Sequence, residues 1–285
     1  MSSLGSMLLH LDASPRCEAR LRVAQLLATR LGAGSNAPCV IDTLYGVTPS
    51  YLEQPFAFPE SAANSLALLQ DLDTERRSDA KKLFDRLNGS SNSAMRWHEL
   101  KDENAIIGTT RYALLADLVV LGQHDPNERQ ALGVPADFAE SVLIYSGRPG
   151  VVVPYVGSFA DIATRVLIAW KPTREAARAL SASVPLLQRC LEVHVVADAG
   201  DGQDALRDGA LQSYLETRGV KAPLRQHAAL AEAAPGEGLL SLAADVGADL
   251  LVMGCYGHSR ARELVMGGAS RTILRSMTLP VLMSH

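Results

Sequence analysis

One segment of this chain occurs twice. Ala116-Asp-Leu-Val-Val-Leu-Gly122 matches Ala248-Asp-Leu-Leu-Val-Met-Gly254. Each copy is a short apolar run that enters a glycine, as a buried parallel strand does at its carboxyl end. Two further pairs keep the same order. Met7-Leu-Leu-His-Leu-Asp-Ala-Ser14 lines up with Val166-Leu-Ile-Ala-Trp-Lys-Pro-Thr173, and Arg148-Pro-Gly-Val-Val-Val with Thr278-Leu-Pro-Val-Leu-Met. The matches fall at the start and end of each half, so the chain reads as an internal repeat. At 285 residues it is long enough for two units.

Between these anchors strands and helices alternate. In the first half, strands are expected at Met7 to Asp12, Ala37 to Leu44, Met95 to Leu100, Asp117 to Leu121 and Pro149 to Tyr155. Helices are expected from Ser14-Pro15 to about Leu31, from about Ala62 to Leu87, from Asn104 to Leu115 and from Phe138 to Tyr145. The first would have Ser14 as N-cap, Pro15 at the first helical position, and apolar positions at Ala19, Val23, Leu26 and Leu27. The Pro-rich stretch from Gly46 to Ser61 reads as a packed surface loop or a lid over a ligand. Gly157 to Ala163 reads as a linker, after which the pattern restarts. Such alternation predicts α/β architecture: two tandem, doubly wound, five-stranded, mostly parallel sheets with flanking helices, over residues 1–156 and 164–285. Their last strands, Val151 to Val153 and Val281 to Met283, are apolar edges expected to meet within one chain about a pseudo-twofold axis. A homodimer of such chains is also open.

The glycines of the second half carry the functional reading. Gly254 and Gly257 allow close approach of a ligand to the backbone, and Gly267 to Ser270 opens a helix with apolar positions at Ile273, Leu274 and Met277. Free N–H groups at that helix start suit an anion. Helix capping and close strand–helix packing would explain single glycines without any ligand. The full spacing, Gly-x-x-Gly-x9-Gly with Ser270 three residues on and a terminal Pro-Val-Leu strand, is far more specific.

That spacing resembles the nucleotide-binding motif of the universal stress protein family, and the repeat resembles a tandem member with two such domains in one chain. The resemblance implies a Rossmann-like fold of the adenine-nucleotide α-hydrolase type and an ATP-like adenine nucleotide as cofactor. It implies Gly254, Gly257 and Gly267 along the ribose and phosphates, with Ser270 bonding phosphate oxygen. Gly268 stands where the family has Ser or Thr, so one hydroxyl is absent. Family members also carry an Asp at the end of the first strand, near the adenosine. Here the two parts are split between the halves. The first half keeps Asp12 but lacks the glycine motif, and its Asn127-Glu-Arg-Gln loop offers no phosphate cradle. The second keeps the motif but has Lys171 at the acid's position, a group that cannot accept ribose hydrogen bonds. Lys171, His258 and Arg260 are candidate contacts to phosphate, or merely solvated side chains. Any nucleotide is therefore expected in the second half alone. The alternatives are a ligand-free interaction scaffold and a slow ATP hydrolase.

Composition removes other classes. Net charge of -4 argues against nucleic acid as the main partner. No apolar run nears the roughly 20 residues a bilayer needs, and the start lacks a basic leader, so a cytoplasmic location without membrane partners is expected. Cys17, Cys39, Cys190 and Cys255 show no metal or redox spacing and read as inert thiols. There is no Gly-x-Ser-x-Gly elbow, no Walker lysine and no helical His pair, so neither a catalytic residue nor a metal ligand is assigned. His10 and His194, on strands, read as packed or hydrogen-bonded.

Overall fold

A computed structural model describes residues 4–32, 38–53, 59–89, 94–128, 133–197, 204, 209–230, 235–255 and 268–285. The first half runs β1 (Ser6–Leu11), α1 (Cys17–Gly32), β2 (Val40–Tyr45), α2 (Ser50–Glu53), α3 (Pro59–Asn88), β3 (Met95–Glu99), α4 (Ala105–Ala113), β4 (Leu118–Gly122), α5 (Phe138–Ser146) and β5 (Gly150–Val153). The second runs β6 (Arg165–Trp170), α6 (Arg174–Leu187), β7 (Glu192–Ala197), α7 (Ala210–Thr217), β8 (Leu224–His227), α8 (Pro235–Asp245), β9 (Leu250–Gly254), α9 (Ala269–Ser276) and β10 (Val281–Ser284).

All ten strands join one sheet in the order β3-β2-β1-β4-β5-β10-β9-β6-β7-β8. Within each half every pairing is parallel. The halves meet at one antiparallel seam, Val281 opposite Val152 and Leu282 opposite Val151. The expected meeting of the two last strands is what the fold shows.

Both faces of the sheet are covered, which is why its inner strands are apolar without a break. Along β1, Met7, Leu9 and Leu11 face the layer of α1, α3, α6 and α7, while Leu8 faces the layer of α4, α5, α8 and α9. Both cores cross the seam: Val151 and Leu282 lie in one, Val152 and Val281 in the other. Two polar contacts add to it. Gln123 Nε2 donates to the Leu274 carbonyl (2.9 Å) while its Oε1 accepts from Tyr155 N. Arg30 donates to the carbonyls of Ala163 and Arg189 and pairs with Asp161.

The repeated acid has a structural task. Asp117 accepts from the Gly5 and Ser6 amides, and Asp249 from those of Thr164 and Arg165. Each carboxylate thereby satisfies the N–H groups where the first strand of its half begins.

Local readings needed correction at three places. The first helix begins at Cys17, not at Pro15. The Asp12 carboxylate accepts the Ser14 amide, and this turn displaces the cap (2.8 Å). The buried stripe of α1 is Cys17, Arg20, Leu21, Val23, Ala24, Leu27, Ala28 and Leu31, so Ala19 and Leu26 flank it. The stretch read as one loop from Gly46 to Ser61 contains α2, and α3 begins within it at Pro59. A proline suits a first helical turn, where its missing N–H costs nothing.

Candidate functional site

In each half the strand order reverses next to the first strand, between β1 and β4 and between β6 and β9. Open α/β sheets bind ligands in the crevice beyond the carboxyl ends of such strands. The two crevices are built from corresponding positions and filled differently.

In the second half, Ala169 pairs with Met253, so Lys171 leaves β6 just past the level at which Gly254 ends β9. Thr173 caps α6, its hydroxyl accepting from the Ala176 amide (3.3 Å). Lys171 is exposed, Gly254 is half-buried, and Ser270 is buried in the first turn of α9. Gly268 is the N-cap of α9, so no capping side chain competes for its first N–H groups. The structure thus brings Lys171, Gly254, Gly268 and Ser270 to one end of the sheet. Gly257, His258, Arg260 and Gly267 lie outside the described residues.

Gly254 also has a packing reason to be glycine. A Cβ there would stand 2.5 Å from the Ala176 amide nitrogen, because α6 begins directly against the strand end. Close strand–helix packing, one of the two readings of this glycine, is therefore present whether or not a ligand is. Beside it stands Glu175, which the sequence reading missed. Its side chain is buried and receives Arg174 Nε at 2.5 Å. Burial alone would raise this carboxyl, but the bond from Arg174 and the local backbone N–H hold it below the usual value. It stands at the second position of α6, where an acid suits the helix dipole, which also conceals it in the sequence.

In the first half, Asp12 ends β1 and is 5% exposed. It meets Arg20 of α1 at 2.6 Å, and Arg20 is itself only 3% exposed. Arg20 Nη2 also donates to Ser14 Oγ (3.0 Å) and Cys17 Sγ (3.1 Å). Nη1 donates to His10 Nδ1 (3.3 Å), whose opposite nitrogen donates to the Gly46 carbonyl (2.7 Å). That carbonyl fixes the tautomer, with the proton on Nε2. Burial would raise Asp12, but the Arg20 and His10 charges hold it well below the ordinary carboxylate range. Burial, then the Arg20 charge, pushes His10 down to about 4. Arg20 was detectable in principle, as the one charged side chain on the buried stripe of α1 with an acid eight residues upstream.

The remaining polar candidates are structural. His194 Nδ1 meets His227 Nε2 at 2.9 Å, in keeping with the reading of His194 as hydrogen-bonded, and His10 is packed as expected. None of the four cysteines is in a disulfide; burial raises Cys17 to about 12 and both Cys39 and Cys190 to about 11. Among the described residues, no group of three His, Cys, Asp or Glu is placed to hold a metal ion, and no helix is long and apolar enough to cross a membrane.

Two parallel α/β units with crevices at their reversal points define a tandem, doubly wound protein. Residues 163–285 match the model of the Universal stress protein family. A universal stress protein of Synechocystis sp., Slr1230, is 30% identical over 171 residues, covering 58% of this chain and 57% of that protein. The match therefore spans little more than half the relative's length. Among solved structures, a universal stress protein from Archaeoglobus fulgidus DSM 4304 superposes with a TM-score of 0.65 at 14% identity, covering 99% of this chain and 98% of that one. The Pseudomonas aeruginosa PAO1 protein PA1789 gives 0.53 at 14% identity, covering 98% and 92%. The second half of the chain, residues 163–285, thus matches the universal stress protein family, and the first half repeats its fold.

Proposed function

We propose that this chain is a stress-response binding protein that holds one adenine nucleotide, ATP or a relative, at the crevice of β6 and β9. Gly254, Gly257, His258, Arg260, Gly267, Gly268, Ser270 and Lys171 are its contacts, the two units are residues 1–156 and 164–285, and no catalytic step is assigned. The observation that carries this reading is the convergence of Gly254, Gly268 and Ser270 at the reversal point of the half that keeps the full glycine spacing. A glycine-capped helix start beside a glycine-ended strand is what a phosphate chain needs.

The family acid is replaced by Lys171, and this is the handle for a test. Calorimetric titration with AMP, ADP and ATP should give at most one site per chain. Lys171→Asp should restore acceptors for ribose hydroxyls and tighten binding. One or two hydrogen bonds of about 0.5–1.5 kcal/mol each correspond to a factor of roughly two to more than a hundred. Weaker binding in the variant, with the loss growing from AMP to ATP, would instead place phosphate at Lys171. A second reading, a ligand-free interaction scaffold, is favoured by the packing of Gly254 against Ala176. It predicts no heat with any nucleotide at millimolar concentration, and no adenine compound released when the purified protein is denatured.

A further inference from the structure

We propose that Arg20 is a built-in occupant of the first half's crevice and closes it to any outside ligand. The place is the cleft at the carboxyl ends of β1, β4 and β5, whose walls include Asp12, Ser14, Gly122, Gln123 and Phe138. The guanidinium lies on its floor. A Cβ built on Gly122 would stand 2.7 Å from Arg20 Nη1 and 3.0 Å from its Cδ. The strand end, which in the second half is pressed by the start of α6, is here covered by this side chain. Two acceptors a ligand's polar edge would use, Asp12 Oδ1 and the Ser14 hydroxyl, are taken by Arg20 Nη2 at 2.6 and 3.0 Å. What remains of the cleft is about 40 Å³. That is space for roughly a few waters, whereas small-molecule sites run to roughly 300–1,000 Å³.

Arg20 behaves as an occupant more than as a structural brace. A buried arginine kept only for stability would use all its donors, yet its Nε has no partner. The corresponding position in α6 is Ala179, fully buried and too short to reach a strand end. In the first half, one side chain therefore fills the place beside the strand end. This conclusion needs the reversal-point crevice to be the ligand site of the fold; it does not need nucleotide in the second half.

The test is chemical replacement of the plug, followed by thermal melting of the full chain. Arg20→Ala leaves Asp12 buried without its cation and should lower Tm by roughly 10 °C. Guanidinium chloride at about 20 mM should return several degrees by refilling the cleft, while its general denaturing effect at that concentration is below about 0.5 °C. The same salt should do nothing for wild type, for Arg20→Met, whose side chain fills the space, or for Arg20→Ala/Asp12→Asn, which has no anion to pair. If Arg20→Ala does not fold alone, about 20 mM guanidinium in the refolding buffer should restore soluble protein where sodium chloride does not. Guanidinium acting no better than sodium chloride on Arg20→Ala, or equally well on Arg20→Met, overturns the proposal. No arm contains nucleotide, so this can fail while nucleotide binding survives, and the reverse.

Discussion

Lowering the pH from 7 to 4 should unload stability from the first half through His10. The imidazole is fully buried, donates from Nε2 to Gly46 and accepts from Arg20 at Nδ1. Its ring also packs on Phe138 at 4.2 Å. A proton at Nδ1 would remove the acceptor and place a cation against Arg20. The folded state therefore resists protonation until about pH 4, whereas the unfolded chain takes the proton near 6.5. Between those values the unfolded state binds more protons, so stability falls as pH falls, and below them the effect stops growing. The gap of about 2.5 units corresponds to about 3 kcal/mol, an order-of-magnitude figure. Asp12 acts in a separate window. Its folded value is depressed, so its contribution is present above the unfolded 3.8 and is lost only as pH drops further. Urea denaturation at half-unit intervals from pH 7.5 to 3.5 would show the slope. His10→Gln, which keeps an N–H donor for Gly46 but does not titrate, should be less stable at pH 7 and should lose most of that slope. His227 is also held below its usual value, first by burial, and leaves a smaller slope of the same sign. An unchanged slope in His10→Gln, or stability rising on acidification, would refute the reasoning.

Other expectations are separable. Val152→Ala and Val281→Ala should each cost about 2 kcal/mol, and their double mutant should depart from additivity by about 0.5 kcal/mol or more, because the two residues pair across the seam; strict additivity in urea melts would contradict that contact. Gly254→Ala should destabilise by about 1–3 kcal/mol, since the clash is with backbone of α6 and cannot be relieved by a rotamer change; an unaltered melting curve would show that α6 can move. Asp249→Ala should cost about 1–3 kcal/mol by leaving the Thr164 and Arg165 amides without their acceptor, and faster hydrogen exchange at those two amides is the direct readout.

Much of the architecture was legible because the repeat is written in strand ends, where packing leaves few choices. Asp117 and Asp249 recur because each ties down the start of a neighbouring strand, and Gly122 and Gly254 recur because something presses on each strand end. The seam was legible because Val151 to Val153 and Val281 to Met283 are too apolar for open edges. What sequence reading missed is local and three-dimensional. The start of α1 depends on an Asp12–Ser14 turn, and the face of α1 depends on a buried arginine that a binary apolar pattern assigns to solvent. The candidate site was half legible. Spacing singles out the glycines, but nothing along the chain shows that Arg20 covers one strand end, or that Glu175 lies buried beside the other.

The antiparallel seam has a further consequence. If two identical subunits met through such a strand, every change in one crevice would be imposed on the other. Here the subunit contact is folded into a single polypeptide, and the short connection from β5 to β6 keeps the halves together at an effective concentration on the order of millimolar or above. Assembly is no longer a matter of protein abundance, and symmetry is no longer enforced. Each half is free to specialise: an arginine can cover the strand end of one crevice while a helix start packs on that of the other, and one polypeptide can present two unlike ends on a single sheet.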